Sequence, residues 1–340
     1  MKHTSPLLVF VIATWATWVV VPGWAQAGSG FYVSGEVGIN VAMGFDTVGT
    51  SDDRPSVCDE YINPSYDEVE TSPGADSKGK LYSTYNCTGS DRGAGGRWTN
   101  DFDGATGILA GAAVGYSFAG QNRNSPLGGL RVELEYFYRQ SNYDQTAYIF
   151  GGAGTQQDKL ADEIVRATDR IGSITSHNLF GNLFYDFSNT SRFTPYIGIG
   201  GGVGLTDMEY GSAWTRNENL MNDDGSYAIK TGVNLDNYPE IRRNLAKTTS
   251  VGQATLSDVL YGLQILFGVD YAITEAASLG LKGRWVRYGA FSDDFIWNPL
   301  RSHAPYLRKP GASDREPVSG RLTTGDIEFF GVSVNLKYHF

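Results

Sequence analysis

Phe330, Val332, Val334, Leu336, Tyr338 and Phe340 occupy every second position of the final stretch of the chain, with Gly331, Ser333, Asn335, Lys337 and His339 between them. A period of two places one face of a strand in an apolar environment and the other in a polar one. A soluble sheet uses the same pattern, but a soluble protein seldom finishes on a strand whose last side chain is a large aromatic. The alternation therefore gains its meaning from the other end of the chain.

Residues 1–27 contain Lys2, a mostly apolar stretch from Leu7 to Val21, and Ala25, Gln26 and Ala27. A basic start, an apolar middle and an A-x-A site make up a secretory signal, so cleavage is expected before Gly28 and a single domain over 28–340. An anchoring helix is the competing reading; Thr14 and Thr17 interrupt it, and it is shorter than the ~20 apolar residues a spanning helix needs. No later window is apolar enough for a membrane helix. The formal net charge is −10, and removal of Lys2 with the signal leaves the exported chain more acidic still. Such a chain repels nucleic acid. With 43 Gly, 20 Tyr and 17 Phe against 4 Met, the composition suits twisted strands and aromatic belts rather than a helical bundle.

Period-two segments predict eight strands, over 31–43, 106–118, 130–143, 176–187, 194–205, 259–273, 278–288 and 330–340. Their apolar faces include Val37, Ile39 and Val41 in the first, Leu134 and Tyr136 in the third, Leu263, Ile265 and Phe267 in the sixth, and the terminal set in the last. In the fifth, Gly198, Gly200, Gly202 and Gly204 leave one face without side chains.

The connections alternate between short (119–129, 188–193, 274–277) and long (44–105, 144–175, 206–258, 289–323). Short turns on one side and long loops on the other are the layout of an outer-membrane barrel. Hydrocarbon offers no hydrogen-bond partners, so a membrane sheet must close on itself. The predicted fold is therefore all-β: an eight-stranded antiparallel transmembrane up-and-down β-barrel with long extracellular loops, in the bacterial outer membrane. A soluble sandwich or lipocalin-like barrel would invert the two faces.

With the apolar face on outer-membrane lipid, the lumen receives Glu36, Glu133, Glu135, Asp186 and Asp270 together with Arg131, Arg139, Lys282, Arg284 and Lys337. A barrel of eight strands is just wide enough to be filled by side chains, and unpaired buried charges are costly. A plugged, salt-bridged interior is expected; a narrow ion or proton path is the alternative.

Cys58 and Cys87 share one polar stretch of an exported chain, which favours a disulfide. Closing that ~30-residue loop would stabilise by about 3.5 kcal/mol in the chain-entropy model. Catalysis finds little support. His177 follows Ser176 and His303 follows Ser302, but strand neighbours point to opposite faces and cannot form a dyad. Asp101 to Gly104 and Asn222 to Gly225 resemble fragments of calcium loops without the closing Glu; both read as turns, and no cofactor is implied. The loops carry Trp98, Trp214, Trp297 and Tyr306, aromatics that can recognise partners or form an interfacial girdle. In the second long loop, Leu160, Ile164, Ala167 and Ile171 fall at helical spacing, predicting a short amphipathic helix over 158–171.

Arg131 to Tyr136 (RVELEY), Asn178 to Phe187 (NLFGNLFYDF), Thr194 to Gly202 (TPYIGIGGG) and Val332 to Phe340 resemble the strands of eight-stranded outer-membrane barrels of the opacity-protein and OmpA-like group. They are also similar to rickettsial surface-antigen barrels. The resemblance covers the strands and not the loops. It implies insertion by the barrel-assembly machinery, which reads a C-terminal strand with Phe340 last and Tyr338 two before it. It further implies roles as adhesins, surface antigens meeting a host or surface ligand, envelope-stabilising proteins or small pores, with lipid-modifying enzymes a remoter kind. The chain ends at the barrel, so the peptidoglycan-binding domain of full-length outer-membrane protein A is not expected.

Overall fold

The computed structural model describes residues 30–51, 96–118, 128–149, 164–187, 191–216, 249–301 and 315–340. The signal-like segment 1–27 and both Cys58 and Cys87 lie outside the described residues.

Ten antiparallel strands run β1 (Gly30–Ala42), β2 (Phe45–Ser51), β3 (Gly96–Phe102), β4 (Ala105–Ser117), β5 (Leu130–Tyr148), β6 (Ile164–Asp186), β7 (Phe193–Arg216), β8 (Thr249–Ala272), β9 (Ala277–Arg301) and β10 (Arg315–His339). Eight of them form a closed ring, β1-β4-β5-β6-β7-β8-β9-β10, sealed where β1 pairs with β10. Val37 faces Val334 across that seam, and Phe340 N donates to Phe31 O at 3.0 Å. Closure leaves no sheet edge in this region of the molecule, as a hydrocarbon solvent requires.

The outward residues are those assigned to lipid from the sequence. Val37, Ile39, Ile108, Leu134, Leu183, Ile199, Leu263, Phe267, Leu281, Val332 and Leu336 are all exposed. Aromatic pairs mark the short-turn rim: Phe31 with Tyr116, Tyr185 with Phe187, Phe193 with Tyr271, and Tyr338 with Phe340, each with centroids near 5 Å. An uninterrupted ring of exposed large apolar side chains, finished by aromatics at the rim, is the surface a bilayer covers.

The strands do not stop at that belt. β6 to β10 have 23 to 25 residues, more than twice the ~9–11 that cross a bilayer. Each of the four long connections predicted from the sequence gives up residues to this upward extension. β2 and β3 lie inside the first, as a hairpin that pairs with β10 from Gly320–Thr324. The predicted helix over 158–171 is overturned where it is described: 164–171 is the start of β6, laddered to β7. Ala167 and Ile171 are indeed buried, but by a strand in which period-two inward positions happened to coincide with a helical spacing of four. Asp101 and Phe102 end β3 rather than forming a turn.

Above the belt the alternation reverses. On β10, inward Lys337, Asn335 and Ser333 give way to inward Phe329, Ile327 and Leu322, while outward Phe330 gives way to outward Asp326 and Arg321. β9 makes the same change between Arg284 and Val286 inside, and between Trp285 and Arg287 outside. The upper section is thus a barrel of the water-soluble kind, apolar within and polar without, continuous with a membrane barrel below.

Register irregularities help the long strands to follow this change. β5 bulges between Asn142 and Gln145, where Asp144 takes φ 46, a left-handed conformation that Asp tolerates better than most residues. β10 shifts against β9 between Thr323 and Ile327. Between Gly252 and Gly262, β8 has no ladder to β9. There Asp293 accepts from Ser257 N at 2.7 Å and Asp258 from Ser292 N at 2.9 Å, so side chains take over some of the missing main-chain pairing.

Candidate functional site: the filled barrel

The lower interior is built by inward positions of six strands. Glu36 comes from β1, Arg131, Glu133 and Glu135 from β5, Asp186 from β6, Asp270 from β8, Lys282 and Arg284 from β9, and Lys337 from β10. Lys282 Nζ lies 2.6 Å from Glu135, 2.9 Å from Glu36 and 4.0 Å from Glu133. Arg284 pairs with Glu135 at 2.9 Å and with Glu36. Nearer the short-turn rim, Arg131 pairs with Asp186 at 3.2 Å and Asp270 at 3.8 Å, and Lys337 pairs with Asp270.

Neutral groups complete the network. Tyr32 donates to Glu133 at 2.8 Å, Asn182 and Gln264 donate to Glu135, and Ser333 donates to Glu36. The inward glycines of β7 make room for these side chains. A β-carbon at Gly200 would meet Asn182 and Gln264, and one at Gly202 would meet the Leu179 carbonyl and the Phe180 ring. Arg131 is further enclosed by Phe184 and Tyr196, 4.4 and 5.0 Å from its guanidinium carbon, contacts that stabilise a desolvated cation.

Nine of the ten lumen charges named from the sequence therefore meet an opposite charge. The tenth, Arg139, does not: among the described residues it has no ion pair. Its Nε donates to Ser176 Oγ at 3.3 Å and its guanidinium carbon lies 4.7 Å from the Phe329 ring. An aromatic layer of Phe137, Phe180, Tyr288 and Phe329 lies at this level, with Arg284 stacked on Phe137.

Above this layer lies a core that the sequence did not announce: Ile171, Ile174, Met208, Leu256, Leu260, Phe291, Phe295 and Leu322, all buried. Trp98 and Trp214, assigned from the sequence to exposed loops, sit inside it, edge to face at 5.2 Å. At its centre is Asp169, fully buried. Its Oδ2 accepts from Trp98 Nε1 at 2.6 Å and Asn100 Nδ2 at 2.8 Å; its Oδ1 accepts from Tyr210 OH at 2.9 Å and Ser212 Oγ at 2.5 Å. Burial raises the pKa of this carboxyl, although all four donors pull the other way. Burial, and then the neighbouring Asp169 charge, push Tyr210 well above the usual phenol value. Alternation alone could not have found it: Asn178 and Asn182 put the inward phase of lower β6 on even positions, and the register shift between Ile171 and Ile174 is what brings Asp169 and Ile171 inside.

Ser176 and His177 do not converge, and Ser302 and His303 lie outside the described residues. Ser176 is buried in the lumen while His177 points outward, its Nδ1 2.7 Å from Tyr136 OH. Among the described residues no group of three or more His, Cys, Asp or Glu could hold a metal ion.

Fold and interior together define the class: an eight-stranded β-barrel of the outer-membrane type, with a charged lower interior and an apolar upper one. No family model and no curated protein sequence matches the chain. Among solved structures it is similar to Neisserial surface protein A, at 12% identity over 92% of this chain and 99% of that one with a TM-score of 0.35. It is also similar to the outer-membrane protein OprG from Pseudomonas aeruginosa (13%, 92% and 98%, TM-score 0.37) and the outer-membrane protease OmpT from Escherichia coli (8%, 90% and 97%, TM-score 0.32). These likenesses are ones of architecture only.

Proposed function

We propose that the chain is an exported outer-membrane surface protein whose barrel is closed to solute flow and whose long extracellular connections mediate surface interaction, as an adhesin, surface antigen or envelope component. In this reading residues 1–27 are the export signal. Tyr338 and Phe340, both outward, form the signature read by the barrel-assembly machinery, and Cys58 and Cys87 close a disulfide within the first connection. The observation that carries it is the filling of the interior at two consecutive levels: Lys282, Arg284, Glu36 and Glu135 interlocked, then Phe137, Phe180, Tyr288 and Phe329 across the lumen. Closing a barrel so thoroughly leaves its outer connections as the region able to meet a partner.

Purified protein in planar lipid bilayers should show no steady conductance; stable open steps would reject the closed lumen and favour a small pore. Binding to host cells or matrix should be lost on replacing 217–248 by a short linker. That segment leaves β7 and β8 intact, whereas a cut over the whole of 206–258 would remove the upper wall. Retained binding would take this connection out of consideration.

A further inference from the structure

Arg139 sits in one inward row with Ser176 and Thr206, which face it successively across β5, β6 and β7. Arg139 is 1% exposed and Thr206 2%. Among the described residues, Arg139 Nη1 and Thr206 Oγ1 have no hydrogen-bond partner. Ser176 Oγ accepts from Arg139 Nε and from Asn178 Nδ2, which leaves its own hydrogen free to donate. The row thus holds three unused donors, and its only unused acceptors are hydroxyl lone pairs, which carry no negative charge to match the guanidinium.

Arg131 and Arg284 also have unbonded guanidinium nitrogens, but each has carboxylates at ion-pair distance. Arg139 has none. The carboxylate next along the row, Asp258, opposite Thr206 on β8, directs its oxygens to Val259 N at 2.7 Å and Ser292 N at 2.9 Å. Phe329 supplies one aromatic face, which attracts a cation but accepts no strong hydrogen bond. A buried guanidinium left in this state is expensive. Donors without acceptors around a net positive charge describe the complement of an anion. The fully buried surroundings of Ser176, Asn178 and Phe329 restrict it to a small one.

We propose that Arg139, with the hydroxyls of Ser176 and Thr206 in the same row, forms a lumenal binding site for a small monovalent inorganic anion of the halide class, and that this anion neutralises the one buried lumenal cation without a carboxylate partner among the described residues. The site lies above the salt-bridged network, at the level of the aromatic layer, and is independent of whether the outer connections bind anything.

The test uses the full exported chain in detergent micelles. Replacing sodium gluconate by sodium chloride or bromide at constant ionic strength should raise the unfolding temperature in a saturable way, by ~2 °C or more. Crystals grown or soaked in bromide should show an anomalous peak at Arg139 Nη1. Arg139→Met should abolish the halide dependence, while Asp258→Asn should keep it. A wild-type crystal with no bromide peak, or with a water alone at Nη1, overturns the proposal. So does a halide shift that persists unchanged in Arg139→Met. If Arg139→Met does not fold, the wild-type bromide experiment decides by itself.

Discussion

Trp98 Nε1 donates to Asp169 Oδ2 at 2.6 Å, joining residues 71 apart in the sequence and fastening the β2–β3 hairpin to the wall formed by β6 and β7. The carboxylate has four donors and no cation, so its charge is a burden that its hydrogen bonds only partly offset. Because its pKa is raised in the folded state, its stabilising contribution is present below the ordinary carboxylate range and lost as pH rises through the raised value. The upper section should therefore resist external protease better at mildly acidic pH than at neutral pH. Asp169→Asn, whose amide can be accepted by the Tyr210 and Ser212 hydroxyls, should fold and abolish that difference. Asp169→Leu orphans four donors and should destabilise the hairpin by on the order of 3 kcal/mol or more. Hydrogen exchange of β2 and β3 amides would read both effects.

In the lower interior, Lys282 touches three acids. Lys282→Met leaves Arg284 as the one remaining ion-pair partner of Glu36 and Glu135 among the described residues and should cost about 3–5 kcal/mol. Adding Glu135→Gln removes one of the stranded charges, so the double variant should be less damaged than the two single losses added together. Urea titrations of the heat-modifiable band, followed by gel mobility, measure all three.

The reversal of the two faces gives a positional prediction along a single strand. Arginine at Leu263, in the lipid belt, should cost about 2–4 kcal/mol. Arginine at Thr255, eight residues earlier and also outward, should be nearly neutral because water covers that height. Arginine at Leu256, which is inward and buried, should again be harmful. An outcome in which Thr255 and Leu263 respond alike would place the whole β8 strand in one environment and defeat the two-section description.

Neighbouring glycines on β7 should also separate. Gly202→Val drives a β-carbon into the Leu179 carbonyl and the Phe180 ring, and should block folding. Gly201→Ala points outward, with the nearest atom, Leu263 Cδ2, at 3.7 Å. It should be neutral or slightly stabilising through the reduced freedom of the unfolded chain. Yield of heat-modifiable protein on refolding distinguishes them.

Most of the ring was legible from alternation because one environment acts on each face of a membrane strand. Phe31 to Met43 and Phe330 to Phe340 read directly, down to which residues face lipid. The upper section was not legible for the same reason. Alternation continues there, but with the opposite face apolar, so Leu256, Leu322 and Trp214 looked like scattered loop residues rather than the inside of a wall. Register shifts at Ile171–Ile174 and Thr323–Ile327 further slip the phase at the change of solvent. The spacing of Ala167 and Ile171 fits a helix as well as a strand and misled for that reason. Of the interior charges, pairing could be expected from the confined space, but not which cation would be stranded. That depends on which side chains distant strands bring to each cation: the neighbour β10 brings to Arg139 is the Phe329 ring, 4.7 Å from its guanidinium carbon.

The extension of β6 to β10 beyond the apolar belt has a consequence for anything arriving from outside. From Glu328 to Arg315, β10 climbs another fourteen positions; at ~3.3 Å per residue and ~40° tilt, that is about 35 Å of height. In the proposed surface reading, the long connections therefore leave the wall from strand ends well above the apolar belt. An approaching macromolecule meets them before it meets the envelope.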